Sequence, residues 1–578
     1  MFDPVSAYHA KASVLAARYE AVAAETVHAA LLSFLPQGAG LLALDVGAGS
    51  GRDAAWLAGL GYEVVAVEPA AGIRAEAQAR HPEPRIRWLD DRLPDLAAVH
   101  RLGLAFDLIL LSAVWMHVPP PVRARAFRKL VTLLKPGGVL FLSLREGPIE
   151  PDRPMWPAPL GEIEALARVH GLAVLRAMPT DDQLGRPEVR WTSVCLRLPD
   201  DGAGALPLLR GVILNDDKSS TYKLALLRAV ARIADATPAL AVPRLDEDAV
   251  ELPLGLVALN WVRMYLPLVQ AGLPQLPGNA GPDGLGFAKD GFRAVLGFQL
   301  AAQDLRIGAR FTGERTRAVA RALAEAARTI TRMPAHFTRF PNADTPVFTA
   351  MLATPPKLQG ELILDGEFLA TFGSLTVPGP VWRTLQRLGA WVEPVLVAEW
   401  ARLVRAYGER MGRPVAPGEV EAALAWLDPA RDTELARTVA MRLLAQGQRL
   451  SCVWTGTPLN LGKLDIDHCL PWSAWPCGDL WNLLPASPKV NRHLKRDRLP
   501  SAAALACARE GIIGWWEAAW CADPALRVRF ARESAAALPV PLDAASAEIF
   551  TALEWRRLRL WQDQQVQEWN VRGNISQC

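Results

Sequence analysis

The segment LLALDVGAGSGRDA, residues 41–54, constrains the fold more than any other stretch of the chain. Residues 41–46 form a mostly apolar run without alternation, which is typical of a parallel strand buried on both faces. The run leads directly into Gly47, Gly49 and Gly51 and then into a predicted helix. Because glycines let the backbone come close to a ligand, a strand, glycine-rich turn and helix in this order predict a nucleotide-cofactor site.

A carboxylate stands about twenty residues further on, at Glu68, directly after the predicted strand 63–67. A carboxylate at this position is placed to bind both ribose hydroxyls of a nucleotide. The chain continues with WLDDRLPDL, FDLILLSAVWMHV and LLKPGGVLFLSLR. Taken in order, these segments resemble the motifs of class I S-adenosylmethionine-dependent methyltransferases over about residues 30–198.

This resemblance implies an α/β Rossmann-like domain over residues 1–198, closed by an antiparallel hairpin formed by residues 173–178 and 191–198. It also implies that S-adenosylmethionine binds there, with the glycines along its methionine and ribose and with Asp91, or Asp90, near the adenine amine. The residues expected to bind the cofactor are Asp45, Gly47, Gly49, Gly51, Glu68, Asp90 and Asp91.

The methyl acceptor is much harder to predict from the sequence. Enzymes that methylate exocyclic base amines usually carry an acidic or amide residue followed by Pro-Pro and an aromatic residue after the fourth strand. The segment here is SAVWMHVPPPVR, residues 112–123, without that motif, and residues 1–198 contain no Pro-Cys pair for attack on cytosine. The domain therefore resembles the small-molecule type. His117 is either a general base or a helix-end histidine bonded to the backbone.

A second polar segment, residues 464–501, reads LDIDHCLPWSAWPCGDLWNLLPASPKVNRHLKRDRLPS. Residues 463–470 predict a short strand that ends at a proline and carries Asp467 and His468 on opposite faces. A carboxylate is a hard ligand for Mg²⁺ or Mn²⁺, and a neutral imidazole can take a proton from water. Asn491 and Lys495 follow on a predicted helix, where an amide oxygen can bind a metal and a cation can hold phosphate.

The order D-H-x-x-P, W-N-L and N-x-x-x-K, with CVWTG upstream at residues 452–456, resembles the ββα-metal motif of HNH endonucleases. The resemblance implies that His468 is the general base and that Asp467 and Asn491 hold one Mg²⁺ (or Mn²⁺). It implies that Asn482 fixes the intervening loop and that Lys495 neutralises charge on the phosphate. Many HNH modules bind zinc through two CxxC pairs, which this chain lacks, so no structural zinc is expected.

The remaining chain is predicted to be mainly helical. Residues 199–207, PDDGAGALP, predict a linker, and residues 208–450 a mainly helical region. The HNH module is assigned to residues 451–505 and a tryptophan-rich helical tail to residues 506–578. The segment TYKLALLR is similar to segments that precede HNH domains in bacterial proteins associated with restriction or phage defence. Arginines on the middle helices either contact DNA phosphates or form a solvated face.

Two further patterns carry expectations. Residues 358–372 alternate well enough to predict a small hairpin that turns at Asp365-Gly366. The tail contains Trp515, Trp516 and Trp520, which are expected to pack it onto the HNH module, whereas stacking on bases is the alternative.

Composition limits the remaining function classes. The chain has 578 residues and a net charge of only +3, so any contact with nucleic acid depends on local basic clusters. Seven scattered cysteines, and the lack of a long apolar run or a leader pattern, favour a cytoplasmic protein without membrane contact. The oligomeric state stays open.

The leading hypothesis is an Mg²⁺-dependent HNH endonuclease, acting on DNA, fused to an S-adenosylmethionine-binding domain in restriction or phage defence. The alternative is a methyltransferase whose HNH module only binds nucleic acid. In a third hypothesis the cofactor gates the nuclease. The sequence does not decide whether the substrate is DNA or RNA, which nucleotide sequence is recognised, or whether the methyltransferase is active.

Overall fold

The computed structural model describes residues 4–37, 40–149, 153–277, 284–341, 343–355, 360–426 and 431–570. The chain divides into two compact units, the first comprising residues 1–206 with 340–344 and the second comprising the rest. The division falls within the predicted linker 199–207, the end of which is part of a short helix at Leu206–Arg210.

The first unit contains a seven-stranded sheet that buries both of its faces. Its strands are β1 (Leu42–Val46), β2 (Glu63–Val67), β3 (Ile86–Leu89), β4 (Phe106–Leu111), β5 (Leu134–Glu146), β6 (Ala173–Asp181) and β7 (Arg190–Arg197). Their order is β3-β2-β1-β4-β5-β7-β6, parallel except at β7, which runs antiparallel to both neighbours. Successive residues of β1 join separate hydrophobic clusters, Ala43 in one and Leu44 in the other. This is the predicted Rossmann-like sheet with its closing hairpin.

Helices flank this sheet. They are α1 (Pro4–Ala10), α2 (Ala12–Glu20), α3 (Ala24–Val27), α4 (Arg52–Gly59), α5 (Ala71–Arg80), α6 (Ala97–Arg101), α7 (Pro120–Leu133) and α8 (Leu160–Val169). The N-terminal lead-in is interrupted where the backbone leaves helical geometry, at Lys11 (φ −112°, ψ 21°) and at Ala23 (φ −64°, ψ 138°).

The second unit is mainly helical, as predicted. Its helices are α9 (Leu206–Arg210, shared with the first unit), α10 (Tyr222–Ala236), α11 (Leu254–Gln270), α12 (Asp290–Gly297), α13 (Gly313–Arg332), α14 (Pro334–Phe337), α15 (Gly366–Ala370), α16 (Gly379–Arg410), α17 (Glu419–Leu424), α18 (Glu434–Ala445), α19 (Ala502–Trp516), α20 (Pro524–Ala537) and α21 (Ser546–Gln564). Among the residues that the structure describes, no helix is long and apolar enough to cross a membrane.

Short strands interrupt these helices. They are β8 (Val242–Arg244), β9 (Ala249–Pro253), β10 (Arg310–Phe311), β11 (Thr349–Leu352), β12 (Leu362–Ile363), β13 (Gly373–Pro378), β14 (Asp465–His468), β15 (Leu483–Ala486), β16 (Leu499–Pro500) and β17 (Glu568–Trp569). β11, β13, β9 and β8 form one antiparallel sheet in that order.

The hairpin predicted for residues 358–372 is wrong. β12 pairs with β10 instead, and the predicted turn is the start of α15. The Asp365 side chain caps that helix by accepting a hydrogen bond from the Phe368 amide at 2.8 Å. Asp-Gly is compatible with a helix start as well as with a tight turn, because an aspartate oxygen satisfies the free amides of the first helical turn.

The HNH segment consists of an antiparallel hairpin followed by a widened helical turn. β14 pairs with β15 so that Asp467 lies opposite Leu484 and His468 opposite Leu483. The chain then forms a π-helical turn at Val490–Lys495. The tail packs against this module in one hydrophobic core, as predicted for Trp515, Trp516 and Trp520.

Two indole N–H groups fasten the tail to the module. Trp515 Nε1 donates to the Leu483 carbonyl at 2.8 Å, and Trp516 Nε1 donates to the Trp481 carbonyl at 3.2 Å. Trp555 and Trp561 behave differently, since they are 62% and 46% exposed. Packing therefore accounts for part of the tryptophan-rich tail only.

Candidate functional sites

The glycine-rich loop between β1 and α4 has the backbone geometry that requires glycine. Gly47, Gly49 and Gly51 have φ of +73°, +54° and +87°, the left-handed region that side chains strain. A Cβ on Gly47 would lie 2.6 Å from a methyl carbon of Val114, and one on Gly51 would lie 2.9 Å from the His81 ring. Gly49 has space around it, so only its backbone conformation demands glycine.

Glu68 is held against this loop by backbone amides. Its carboxylate accepts from the Gly49 amide at 3.0 Å and from the Ala70 amide at 2.8 Å. Burial raises the pKa of Glu68, and these two hydrogen bonds oppose the rise because they favour the charged form. The structure thus brings together the glycines and the carboxylate that the sequence predicted for one site.

Asp45 and Asp90 are not among the residues that line the cavity beside the glycine loop. Asp45 is buried in β1. Burial raises the pKa of Asp45, and the charges of Asp53 and Glu68 raise it further. Asp90 is exposed at the surface, where it pairs with Arg74 at 3.1 Å.

Asp91 is the member of the Asp90/Asp91 pair that lines the cavity. Its carboxylate already caps α6, accepting from the amides of Ala98 at 2.7 Å and Val99 at 3.0 Å. The second oxygen accepts from the Arg92 amide at 2.9 Å. Asp91 therefore has a structural role at the place where the adenine contact was expected.

The cavity beside the loop has a volume of about 1370 Å³ and extends to His117. The His117 ring is held on both sides: Nδ1 lies 2.9 Å from the Pro154 carbonyl oxygen, and Nε2 lies 3.2 Å from the Tyr8 hydroxyl. His117 is bonded to the backbone, as one interpretation expects, and it also lines the cavity. Its role as a general base stays a prediction.

Asp467 of the HNH segment is buried and fully hydrogen-bonded. It accepts from Trp454 Nε1 at 2.8 Å, and Lys495 Nζ lies 3.1 Å from the same oxygen and 3.3 Å from the other. Lys495 also donates to the His468 carbonyl at 2.7 Å. The lysine ammonium thus neutralises the carboxylate directly, rather than pointing into solvent as a phosphate-binding group would.

His468 is 1% exposed, and neither ring nitrogen has a hydrogen-bond partner among the described residues. Its ring meets Trp472 edge to face at 5.3 Å. Burial, with the nearby charges of Arg431 and Lys495, lowers the pKa of His468 to about 3. The imidazole is therefore neutral at physiological pH, the protonation state that a general base needs, and in this conformation it is a weaker base than a solvated histidine.

The two asparagines hold the loops around this pair. Asn482 Oδ1 accepts from the Leu470 amide at 2.8 Å, and its Nδ2 donates to the carbonyls of Cys477 at 2.9 Å and Leu470 at 3.3 Å. This is the hydrogen bonding predicted for Asn482. Asn491 Nδ2 donates to the Ile466 carbonyl at 3.2 Å, next to Asp467 in the strand.

The donor set at this site suits a hard divalent cation. Asp467 supplies a carboxylate and Asn491 an amide oxygen, which are the oxygen ligands that Mg²⁺ prefers. The described residues contain no cluster of three or more His, Cys, Asp or Glu that could hold a metal. A cation bound here would therefore be coordinated by Asn491, by substrate or water, and by Asp467, which also pairs with Lys495.

Several residues of both sites were missed by sequence reasoning. Trp454 lies in the CVWTG segment and carried a signal, because a buried indole N–H seeks an acceptor. Tyr8, Tyr19 and Arg153 meet in the first unit from positions far apart in sequence. Their spacing carries no signal, since only the folded sheet brings them together.

Three families match successive parts of the chain: a methyltransferase domain matches residues 44–142, a domain of unknown function (DUF8808) residues 202–424, and an HNH endonuclease residues 452–501. A protein-L-isoaspartate O-methyltransferase from Chlorobaculum parvum is 37% identical over 101 residues, 18% of this chain and 42% of that protein. A ubiquinone biosynthesis O-methyltransferase from Xanthomonas axonopodis pv. citri is 36% identical over 107 residues, 18% of this chain and 43% of that protein. The chain thus spans about two-fifths of the length of these relatives.

Two solved structures that match are methyltransferases. The 1,6-didemethyltoxoflavin-N1-methyltransferase of Burkholderia thailandensis is 20% identical, with 35% of this chain and 92% of that chain covered and a TM-score of 0.27. The magnesium protoporphyrin IX methyltransferase of Synechocystis is 18% identical, with 33% and 83% covered and a TM-score of 0.24.

Proposed function

Because this chain joins a methyltransferase domain to an HNH endonuclease domain, we propose that it is an Mg²⁺-dependent nuclease whose N-terminal domain binds S-adenosylmethionine. The observation that carries the nuclease is the Asp467–His468 pair on β14, where a neutral imidazole with two unpartnered nitrogens stands beside a buried carboxylate. The substrate is a nucleic acid, DNA in the first instance, and the setting is restriction or phage defence in the cytoplasm.

Each of the candidate site residues has a separate role in phosphodiester hydrolysis. His468 takes a proton from the attacking water. Asp467 and Asn491 hold the metal, which when bound stabilises negative charge on the phosphate oxygens. Lys495 offsets the buried charge of Asp467, and Asn482 fixes the loop after β14 through its three hydrogen bonds.

His468 is closed off in this conformation. With 1% of the residue exposed, its imidazole has no contact with bulk water. Trp472 packs on the ring edge to face. A phosphate therefore reaches His468 only after a covering segment, such as the one that carries Trp472, moves.

A basic groove in the same unit supports a nucleic-acid partner. Its volume is about 610 Å³, and its cations are Lys289, Arg293, Arg321 and Arg328. Asp290 and Glu325 also line the groove. Glu325 accepts from the amides of Gly291 at 3.1 Å and Phe292 at 3.2 Å, and Arg321 pairs with Asp290 at 2.5 Å and with Glu325 at 3.5 Å. The four cations therefore outnumber the two carboxylates of the groove. Clustered cations of this kind bind phosphates with little dependence on sequence.

Nuclease activity is tested with plasmid, phage DNA and RNA in the presence of Mg²⁺. We expect the wild type to cleave DNA, His468→Ala to lose at least about 100-fold in rate, and a chelator to abolish cleavage. His493→Ala is the matched control, because His493 is an exposed histidine of the same module, in the π-helical turn Val490–Lys495. Intact DNA with the wild type, or equal cleavage by His468→Ala, contradicts the proposal.

Cofactor binding is tested by calorimetry with S-adenosylmethionine. Gly49→Val places a side chain at the loop in a left-handed backbone conformation, so we expect binding to be lost. Gly61→Val is the matched control, because Gly61 also has a positive φ (+95°) and has nothing near it. No binding by the wild type, or equal binding by both variants, removes this part of the proposal.

The second candidate function is a methyltransferase whose HNH module only binds nucleic acid. The burial of Asp467 and His468, with Lys495 on the carboxylate, favours it. It predicts retention of DNA without cleavage, together with transfer of labelled methyl groups. If S-adenosylmethionine instead changes the cleavage rate without methylating the product, the cofactor acts as a regulator of the nuclease.

A further inference from the structure

The cavity of the first unit is larger than one cofactor requires. A pocket that encloses a drug-sized ligand usually measures about 300–1,000 Å³. This cavity measures about 1370 Å³ and has two polar ends. The glycine loop and Glu68 form one end. The other end, which we call the acceptor end, is formed by Tyr8, Tyr19, His117, Arg145 and Arg153.

The tautomer of His117 is fixed by its two neighbours. A carbonyl oxygen cannot donate, so the 2.9 Å contact with Pro154 places the ring proton on Nδ1. Nε2 therefore carries the lone pair and accepts from the Tyr8 hydroxyl at 3.2 Å. Burial also lowers the pKa of His117, which keeps the ring neutral. The acceptor end thus presents a basic nitrogen to the cavity.

The guanidinium groups make this end positive. Arg153 donates to the hydroxyls of Tyr8 at 3.2 Å and Tyr19 at 3.3 Å. Arg145 is 9% exposed, donates to the Pro148 carbonyl at 2.9 Å, and has a buried Nε without a hydrogen-bond partner among the described residues. Arg186 is neutralised by Asp182 at 2.6 Å. A buried guanidinium with an unsatisfied N–H is a strong site for an oxyanion.

We propose that the acceptor end binds a small molecule that carries an oxyanionic group, held by Arg145 and Arg153, and an O–H or N–H that faces His117 and is methylated. The inference rests on the proposed binding of S-adenosylmethionine. That cofactor supplies the methyl group: the acceptor's electron pair forms the new bond to the methyl carbon, and the C–S electron pair stays on sulfur. His117 Nε2 takes the acceptor proton, with the Tyr8 hydroxyl giving up its hydrogen bond.

The acidic and apolar surroundings agree with this class of ligand. The apolar wall at the acceptor end includes Val5, Met116 and Trp156, which suits a flat or apolar body behind the charged group. Five of the described carboxylates line the cavity: Asp53, Glu68, Asp91, Asp181 and Asp182. Asp53 pairs with Arg52, Glu68 accepts from the glycine loop, Asp91 accepts from an amide of α6, and Asp182 pairs with Arg186. The charges that act on the His117 ring are those of Arg153 and Arg145.

Calorimetry tests the binding, with the protein saturated with S-adenosylhomocysteine. The probes are 4-hydroxybenzoate and phenyl phosphate, which distinguish a carboxylate from a phosphate, and phenol as the uncharged control. We expect at least one anionic probe to bind at least tenfold more tightly than phenol, and Arg145→Gln to remove that difference. Arg128→Gln is the matched control, because Arg128 is an exposed arginine of α7 outside the cavity.

Transfer of labelled methyl groups to the same probes tests His117. Where a probe is methylated, His117→Asn is expected to lower the rate by about 100-fold or more while changing probe affinity less than threefold. Phenol binding as tightly as both anions, or Arg145→Gln and Arg128→Gln behaving alike, overturns the inference. If S-adenosylhomocysteine itself does not bind, the proposed cofactor site fails instead, so the two failures are distinguishable.

Discussion

The ammonium nitrogen of Lys495 lies 3.1 Å from a carboxylate oxygen of Asp467, and the two side chains are 0% and 2% exposed. Two opposite charges so deeply buried depend on each other, because an unpaired ion in the protein interior loses its hydration without compensation. The stability of the HNH module and its proposed chemistry are therefore carried by the same pair of residues.

Replacing Lys495 by methionine tests this dependence. Lys495→Met keeps the volume but leaves the buried Asp467 carboxylate without its cation, so we expect a loss of about 3–5 kcal/mol in the free energy of unfolding. Lys489→Met, at an exposed lysine directly before the π-helical turn, is expected to change it by less than about 0.5 kcal/mol. Urea unfolding of both variants measures the difference. Equal effects would show that the ion pair is energetically unimportant.

A double variant separates the pair from its surroundings. Asp467→Asn with Lys495→Met removes both charges, so its loss in stability should be smaller than the sum of the two single losses. Strict additivity would contradict a direct interaction.

The indole N–H of Trp454 is expected to matter separately from its ring. Trp454→Phe keeps most of the packing but removes the donor that lies 2.8 Å from Asp467. The loss of a hydrogen bond to a buried carboxylate costs about 1–3 kcal/mol. Trp555→Phe, in an exposed position of α21, should leave the unfolding temperature nearly unchanged. Calorimetric melting of both variants is the measurement, and matching shifts would refute the prediction.

Asp45 should weaken the first unit at neutral pH. The pKa of Asp45 is raised by burial and by the charges of Asp53 and Glu68. The stability that the protonated Asp45 carboxyl contributes is therefore present at low pH and is lost as the pH rises through the raised pKa. Asp45→Asn should therefore stabilise the domain, by on the order of 1 kcal/mol at pH 7 and less at pH 4. Asp107→Asn should do the opposite, because Asp107 accepts from Lys135 at 2.7 Å and from the Leu42 amide at 2.8 Å.

Methyl transfer should show an acid limb set by His117. Burial lowers the pKa of this imidazole, and the charges of Arg153 and Arg145 lower it further, while the bond to Pro154 acts in the opposite direction. The base form is needed, so the rate should be constant near pH 7 and fall at lower pH. Arg145→Gln should move this limb to higher pH. A pH–rate profile, with an NMR titration of His117, measures the shift, and an unmoved limb would argue against the assignment.

Removing the tail should unfold the HNH module. Residues 506–570 contribute α20, α21, β17 and most of α19 to the core that surrounds β14 and β15. A chain ending at residue 505 also loses the indole donors to Leu483 and Trp481. We expect the module's cooperative melting transition to disappear while that of the first unit persists. Two intact transitions in the shortened chain would contradict this expectation.

Sequence predicted best where local pattern and tertiary role coincide. The observed bounds of β2 agree with the predicted strand 63–67, because a strand that is covered on both faces needs no alternation of apolar and polar residues. The pairing of Glu68 with the glycine loop followed from spacing. The burial of Lys495 could not be predicted from the sequence, because a lysine in a basic segment is expected to be solvated unless its neighbours in space are known. The same holds for Tyr8 and Arg153, which are 145 residues apart in the chain.

The π-helical turn at Val490–Lys495 contains one residue more than an ordinary helical turn. Its hydrogen bond from the Arg496 amide to the Asn491 carbonyl, 3.1 Å long, spans five residues where an ordinary helical turn spans four. One additional residue is thereby accommodated inside a single turn, so Asn491 still reaches the Ile466 carbonyl and Lys495 still reaches Asp467. Deletion of Leu494 would rotate every following residue by roughly 100° about the helix axis. Such a deletion would change the winding of this turn but not the identity of the candidate ligands Asp467 and Asn491.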